Sequence, residues 1–130
     1  TGHGVGSYLS VHEGPLSLSR AAKPVAIAAG MILSDEPGLY VPGAYGIRLE
    51  NLLLVQPAAL EGTAKPFLRF ETLTLAPFDR RLILPSMLET WELAWLNDYH
   101  ARVLETVGPK LEPAARAWLA QACANITDEP

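Results

Sequence analysis

A single cysteine, Cys123, stands among the 130 residues, which excludes an internal disulfide framework and suits a reducing compartment. Charge is scarce as well. Ten Lys and Arg against 14 Asp and Glu leave a net charge of -4, with no basic cluster or basic helix face of the kind that binds nucleic acid. No apolar run approaches the roughly 18 residues of a membrane-spanning helix, nothing resembles a signal peptide, and a soluble, cytoplasmic chain is expected. Internal repeats and low-complexity tracts are missing too. What is present is an apolar fraction of 49 %, enough at this length for one domain with a real core. The first residue is Thr1 rather than Met and the chain opens mid-pattern on Gly2-His3-Gly4-Val5-Gly6, so a piece of something longer is expected.

Glycine and proline punctuate the first two thirds. Residues 1–15 read as a glycine-rich loop entering a short strand, with Tyr8, Ser10 and His12 on one face and Leu9 and Val11 on the other, closed by Gly14-Pro15. Residues 16–30 read as a surface connection marked by Pro24 and Gly30. Met31–Ser34 is a predicted strand, broken at Pro37-Gly38, with Tyr40–Ala44 as the tip of the connection. Tyr45–Val55 is the longest predicted strand, its period of two placing Gly46, Arg48 and Glu50 on one face. Residues 57–66 are a predicted loop, and Phe67–Leu75 a further strand ended by Pro77.

Helical signals follow Pro85. Ser86 and Glu89 have the spacing of a capping box, and Leu88, Trp91, Trp95, Tyr99 and Val103 make one apolar stripe to about Val107. Gly108-Pro109 stops that helix, and a second runs from Pro113 through Trp118 and Leu119 to Cys123. Residues 125–130 read as a frayed end, and the glycosylation pattern Asn125-Ile126-Thr127 as a chance match. Strands followed by helices indicate an α+β fold rather than βαβ units.

Two carboxylates, Glu36 and Glu50, lie in otherwise apolar strand sequence, where burial is costly without a compensating partner. Each candidate has a plain structural explanation on its own. His3 is a polar loop residue, His12 a hydrogen-bonded core histidine, Arg48 and Glu50 an ion pair, and Glu36 a turn residue. Together, His3, Glu36 and Glu50 form a histidine and carboxylate donor set on three neighbouring segments. That chemistry suits Mn²⁺, Zn²⁺, Co²⁺ or Fe²⁺ better than Ca²⁺, as one metal with an open position or as a bridged pair.

Three strings carry a resemblance: Gly2-His3-Gly4-Val5-Gly6-Ser7-Tyr8-Leu9-x-Val11-His12-Glu13-Gly14-Pro15, Asp35-Glu36-Pro37-Gly38-x-Tyr40, and Gly43-Ala44-Tyr45-Gly46-Ile47-Arg48-x-Glu50-Asn51. They resemble the C-terminal half of aminopeptidase P, the Xaa-Pro aminopeptidase, among the pita-bread metallopeptidases. Phe70-Glu71-x-Leu73-Thr74-Leu75-x-Pro77 and Trp95-Leu96-Asn97-x-Tyr99-His100 resemble the tail of its larger branch. The resemblance implies an antiparallel curved sheet plus C-terminal helices, with residues 1–77 in the catalytic domain and 78–130 a helical extension packed on it. It implies that His3, Glu36 and Glu50 bind metal, Glu50 as the bridge, while Glu36 also holds and deprotonates the nucleophilic water. His12 then contacts the substrate backbone and supports the tetrahedral intermediate, and Arg48 orients ligand carboxylates from behind.

The implied cofactors are two divalent ions, Mn²⁺ with Zn²⁺ or Co²⁺ as alternatives, and the implied substrate is a peptide with proline in second position. The family's two aspartates and a further histidine have no counterpart here, so the chain alone is expected to be inactive. Asp35 points to the opposite strand face, and Asp79 and Asp98 match no ligand position. Uncovered sheet edges lead to an expected homo-oligomer. The alternatives are a prolidase-like relative and a pita-bread homologue serving as a non-catalytic interaction module.

Overall fold

The computed structural model describes residues 1–6, 12–20 and 25–127. It divides into two compact units, residues 1–74 and 75–130. The expected alternation of Tyr8, Leu9, Ser10 and Val11, the break at Pro24 and the last three residues lie outside the described residues.

The first unit holds β1 (Gly2–Gly4), β2 (Glu13–Leu18), β3 (Ile32–Asp35), β4 (Gly38–Val41), β5 (Tyr45–Arg48), β6 (Asn51–Ala58) and β7 (Phe67–Thr72). Five of them make one sheet in the order β2-β1-β3-β6-β7, and β4 and β5 form a separate hairpin. All the pairings are antiparallel, as expected for an α+β chain. Leu33 lies opposite Leu53. On one face of this sheet Leu16, Leu33 and Val55 are buried, with Leu18, Ile27, Met31 and Leu53 packed around them. Each fully buried aliphatic side chain of this kind contributes about 1.5–3 kcal/mol relative to exposure.

Several predicted boundaries need correction. Gly2 and Gly4 are strand rather than loop. They allow close approach, since a Cβ on Gly2 would collide with the Ser34 carbonyl oxygen. Residues 16–18 belong to β2, which runs straight through Gly14-Pro15, rather than to a surface connection. The predicted strand Tyr45–Val55 is two strands, interrupted at Leu49-Glu50, because β5 pairs with β4 while β6 crosses into the larger sheet. Leu49 N–H donates to Pro37 O at 3.1 Å there, closing the hairpin instead of extending the sheet. Pro57 lies inside β6 rather than opening a loop, and β7 ends at Thr72, short of Leu75. The hairpin tip turns through Gly43, whose φ of 72° is the left-handed backbone that favours glycine.

The second unit begins with an extended segment containing two single helical turns, Arg80–Leu82 and Pro85–Met87. Then come α1 (Thr90–Val107) and α2 (Pro113–Ala122), with a further turn at Gly108–Lys110 between them. The capping box of α1 is Glu89 with Glu92, one turn later than Ser86 with Glu89; Glu89 N–H donates to Glu92 Oε2 at 2.9 Å. The predicted apolar stripe also shifts. Leu96, Tyr99, His100 and Val103 are buried, whereas Trp91 and Trp95 are 71 % and 49 % exposed. Tyr99, Val103, Leu119 and Cys123 form the core of this unit, under Leu75, Phe78, Leu104, Val107 and Leu111.

Polar side chains of α1 fasten the segments on either side of it. Tyr99 OH donates to Ala76 O at 2.8 Å, and Phe78 N–H donates to His100 Nε2 at 3.1 Å. Asn97 pairs with the Ile126 backbone in both directions, at 3.0 and 2.9 Å. Arg80 donates to Gln121 O in the last turn of α2 and to Asn125 O just beyond it. Ile126 is therefore buried, which corrects the frayed end predicted from residue 125. Among the described residues no helix is long and apolar enough to cross a membrane.

Candidate functional site

The face of the sheet opposite Leu33 carries the polar cluster. Along β3 the side chains alternate, so Leu33 enters the apolar core while Ser34, and Glu36 two residues on, share the other face. Glu36 is tied to the start of the chain through its backbone, its N–H donating to Thr1 O at 2.8 Å and its carbonyl accepting from Thr1 Oγ1 at 3.1 Å. This fastening sets Glu36 beside β1 and His3.

Three groups converge on the Glu36 carboxylate, whose side chain is 11 % exposed. Ser34 Oγ donates to Oε1 at 2.8 Å, His3 Nε2 stands 3.1 Å from the same oxygen, and Arg48 Nη1 donates to Oε2 at 2.9 Å. The Ser34 hydrogen bond is the chief cause holding the Glu36 carboxyl below the ordinary range. Partial burial opposes it, and Arg48 and His3 add to it. Arg48 reaches the site because the hairpin returns the chain: the turn at Pro37 leads into β4, and Arg48 ends β5 opposite Gly38. Its guanidinium is held above its ordinary value, mainly by Glu36 and with a contribution from Glu50.

His3 Nδ1 lies 2.9 Å from Gly4 O. Carbonyl and carboxylate oxygens only accept, so both ring contacts are hydrogen bonds at once only on a doubly protonated ring. With one ring proton engaged by Gly4 O, the Nε2 lone pair faces Glu36 Oε1, and a cation between them satisfies both. A histidine fixed through its far nitrogen to a backbone carbonyl, next to a partly buried carboxylate, is the donor arrangement metal sites use. His3 and Glu36 therefore fit a divalent ion.

His12 arrives by an irregularity in pairing. Gly2 lies opposite Leu18 and His3 opposite Ser17, but Gly4 lies opposite Glu13 where regular pairing would give Leu16. The slip shortens the path along β2 and brings exposed His12 to His3, with ring centroids 4.3 Å apart and planes at 52°. Glu50 sits at the break between β5 and β6 and is exposed. Among the described residues, no three His, Cys, Asp or Glu side chains come together as a metal-holding group. His3, Glu36, Arg48 and His12 are thus brought together, while Glu50 is joined to them only through the charge of Arg48.

Sequence reasoning missed Ser34. It is fully buried, accepts from His3 N–H at 3.0 Å and donates to Glu36. Its signal was a hydroxyl two residues before a carboxylate in an apolar strand, which puts both on one face.

Residues 1–57 match the model of metallopeptidase family M24, and residues 66–126 match the C-terminal region of peptidase M24. The chain belongs to metallopeptidase family M24. Over 98 % of its length it is 46 % identical to a probable Xaa-Pro aminopeptidase P of Neosartorya fischeri and 47 % identical to one of Aspergillus fumigatus, covering 20 % of each. It is 42 % identical over 97 % of its length to Xaa-Pro aminopeptidase app-1 of Caenorhabditis elegans. The crystal structure of X-prolyl aminopeptidase from that nematode, described as a cytosolic enzyme with a di-nuclear active site, superposes with a TM-score of 0.89 at 42 % identity, covering 97 % of this chain and 21 % of that one. This M24 chain spans about a fifth of the length of the curated relatives it matches. Its sheet and helices are those of the corresponding part of the pita-bread aminopeptidase fold.

Proposed function

We propose that this chain carries part of the metal site of a dinuclear Xaa-Pro aminopeptidase, which hydrolyses the bond between an N-terminal residue and a following proline. The observation that carries the proposal is the convergence of His3 Nε2 and the Ser34- and Arg48-held Glu36 carboxylate. The printed activities of relatives at 42–47 % identity support it, and favour it over a prolidase-like or non-catalytic relative. Residues 1–77 are read as the site-bearing part and 78–130 as a helical extension.

His3 and Glu36 would hold the metal, joined by Glu50 and by ligands supplied elsewhere in the enzyme. The bound pair of ions, Mn²⁺ in the first place, supplies Lewis-acid polarisation and a nucleophilic water at neutral pH. Glu36 would take the proton from that water, a role supported by the Ser34 and Arg48 hydrogen bonds that fix its carboxylate in direction. His12 would donate to the scissile carbonyl oxygen as negative charge develops there, a role supported by its exposure and its contact with His3. Arg48 keeps the Glu36 plane from rotating. A cytoplasmic setting and a homo-oligomer belong to the same reading. The first is supported by the cytosolic nematode enzyme, the second by Phe67, Leu68 and Phe70 exposed on edge strand β7.

The decisive experiment uses the full-length protein with Mn²⁺ and a peptide bearing proline in second position. Release of the first residue is expected, and Glu36→Gln should lower kcat about 10³-fold. No release with Mn²⁺, Zn²⁺ or Co²⁺, or full activity in the variant, would reject the proposal.

A further inference from the structure

The hydroxyl of Ser34 has two neighbours with opposite demands. His3 N–H, at 3.0 Å, is a donor, so Oγ accepts from it. Glu36 Oε1, at 2.8 Å, is an acceptor, so the hydroxyl hydrogen points to it. A serine hydroxyl has one hydrogen, and with the amide facing its lone pair that hydrogen is committed to Glu36. The same Oε1 is the oxygen nearest His3 Nε2.

The two groups that hold the carboxylate differ in stiffness. Arg48 reaches Oε2 on a long side chain that is 51 % exposed, so water competes for it. Ser34 has a single rotatable bond to its oxygen, sits at 0 % exposure, and lies on a strand paired with β1 on one side and β6 on the other. The rigid member is Ser34.

We propose that Ser34 is the positioning residue of this site: through one hydroxyl it ties the His3 segment of β1 to the Glu36 carboxylate and holds Oε1 toward His3 Nε2 for a divalent cation. This rests on the metal-site reading above. Ser34 touches neither substrate nor reacting atoms and acts through Glu36.

The test compares Ser34→Ala, Ser34→Thr and Ser34→Val in the full-length protein, with Mn²⁺ alone as the probe and free Mn²⁺ read by electron paramagnetic resonance. Loss of the hydroxyl should weaken Mn²⁺ binding about tenfold, the scale for a group supporting a metal ligand. Threonine should restore binding and valine, of the same shape, should not. Ser34→Ala binding Mn²⁺ as tightly as the parent overturns the proposal. A second readout needs no metal. In metal-free protein the Glu36 carboxyl carbon and His3 ring nitrogen resonances should shift in Ser34→Ala, and unchanged resonances overturn the proposal. A parent protein that binds no Mn²⁺, with those resonances still moving in Ser34→Ala, removes the metal reading and leaves the Ser34–Glu36 lock standing.

Discussion

His3 and His100 show how differently the two units use one residue type. His3 is partly exposed, and its two ring nitrogens face acceptors, Gly4 O and Glu36 Oε1, an arrangement completed by a cation. His100 is fully buried. Its Nε2 accepts from Phe78 N–H at 3.1 Å, and its Nδ1 has no hydrogen-bond partner among the described residues. Accepting through Nε2 requires a neutral ring, and burial, aided by the Arg80 charge, holds its pKa below the ordinary value. The first histidine fits the cation proposed above, and the second is surrounded so as to stay neutral. The same contrast extends to their neighbours. Ser34 and Arg48 serve a carboxylate, whereas Asn97, Tyr99 and Arg80 satisfy backbone groups.

The strongest way to break the comparison is to truncate the buried histidine. His100→Ala leaves a cavity and a Phe78 N–H without its acceptor. It should destabilise the second unit by about 3 kcal/mol, the scale of a large core truncation with an orphaned donor. All three tryptophans, Trp91, Trp95 and Trp118, lie in that unit, so their fluorescence during urea unfolding measures the effect. The environment of the His3 ring should be unaltered in that variant. A full loss of His3–Glu36 contact, seen by NMR, would mean the two histidines are not independent.

Acid sharpens the comparison next. Because the folded state keeps His100 neutral, the unfolded chain takes up the proton first as the pH falls. The contribution of His100 is complete above about pH 6.5, the ordinary histidine value, and is lost as the pH drops from there through the lower folded value. Melting followed by tryptophan fluorescence should occur at lower temperature at pH 5.5 than at pH 7.5. His100→Gln, which can still accept from Phe78 N–H, should flatten the difference, and an equal slope in that variant would sink the explanation.

The smallest stability effect belongs to the exposed member of the site. Arg48→Ala should leave the melting temperature nearly unchanged, since its ion pair with Glu36 is open to solvent on the arginine side. Mn²⁺ affinity in the full-length protein should nevertheless fall about tenfold, because the carboxylate loses the donor on Oε2. A large drop in melting temperature with unchanged affinity would make Arg48 a structural residue like Arg80.

Much of the fold is legible in the sequence. Gly108-Pro109 and Pro113 marked the helix boundaries, because proline and glycine act on the local backbone whatever the surroundings. The turn chemistry at Pro37-Gly38 marked the end of a strand over Met31–Ser34, and alternation marked one over Phe67–Leu75, against the observed Ile32–Asp35 and Phe67–Thr72. The resemblance carried by the motif strings implied one site of His3, His12, Glu36, Arg48 and Glu50; the first four meet, while Glu50 stays exposed at the break between β5 and β6. The break at Leu49-Glu50 was not legible, since both halves of Tyr45–Val55 have strand composition and only the choice of pairing partner separates them. On α1, Tyr99 and Val103 are buried as the stripe predicted, but Trp91 and Trp95 are not and His100 is, because tryptophan is apolar enough to count as core while His100 is polar enough to be passed over.

By itself, then, the sequence determined the local elements and the chemical inventory: strands before helices, their stops, and a histidine and carboxylate set without disulfides or a membrane helix. Which of those groups meet was decided by tertiary structure. Glu36 reaches His3 because β3 lies beside β1, Arg48 reaches Glu36 because a hairpin folds back at Gly43, and His12 reaches His3 through a slip in strand register. Strand propensity acts through neighbouring residues, but pairing order and register are set by which faces bury together. That is why Ser34, ordinary in sequence, lies at the centre of the site.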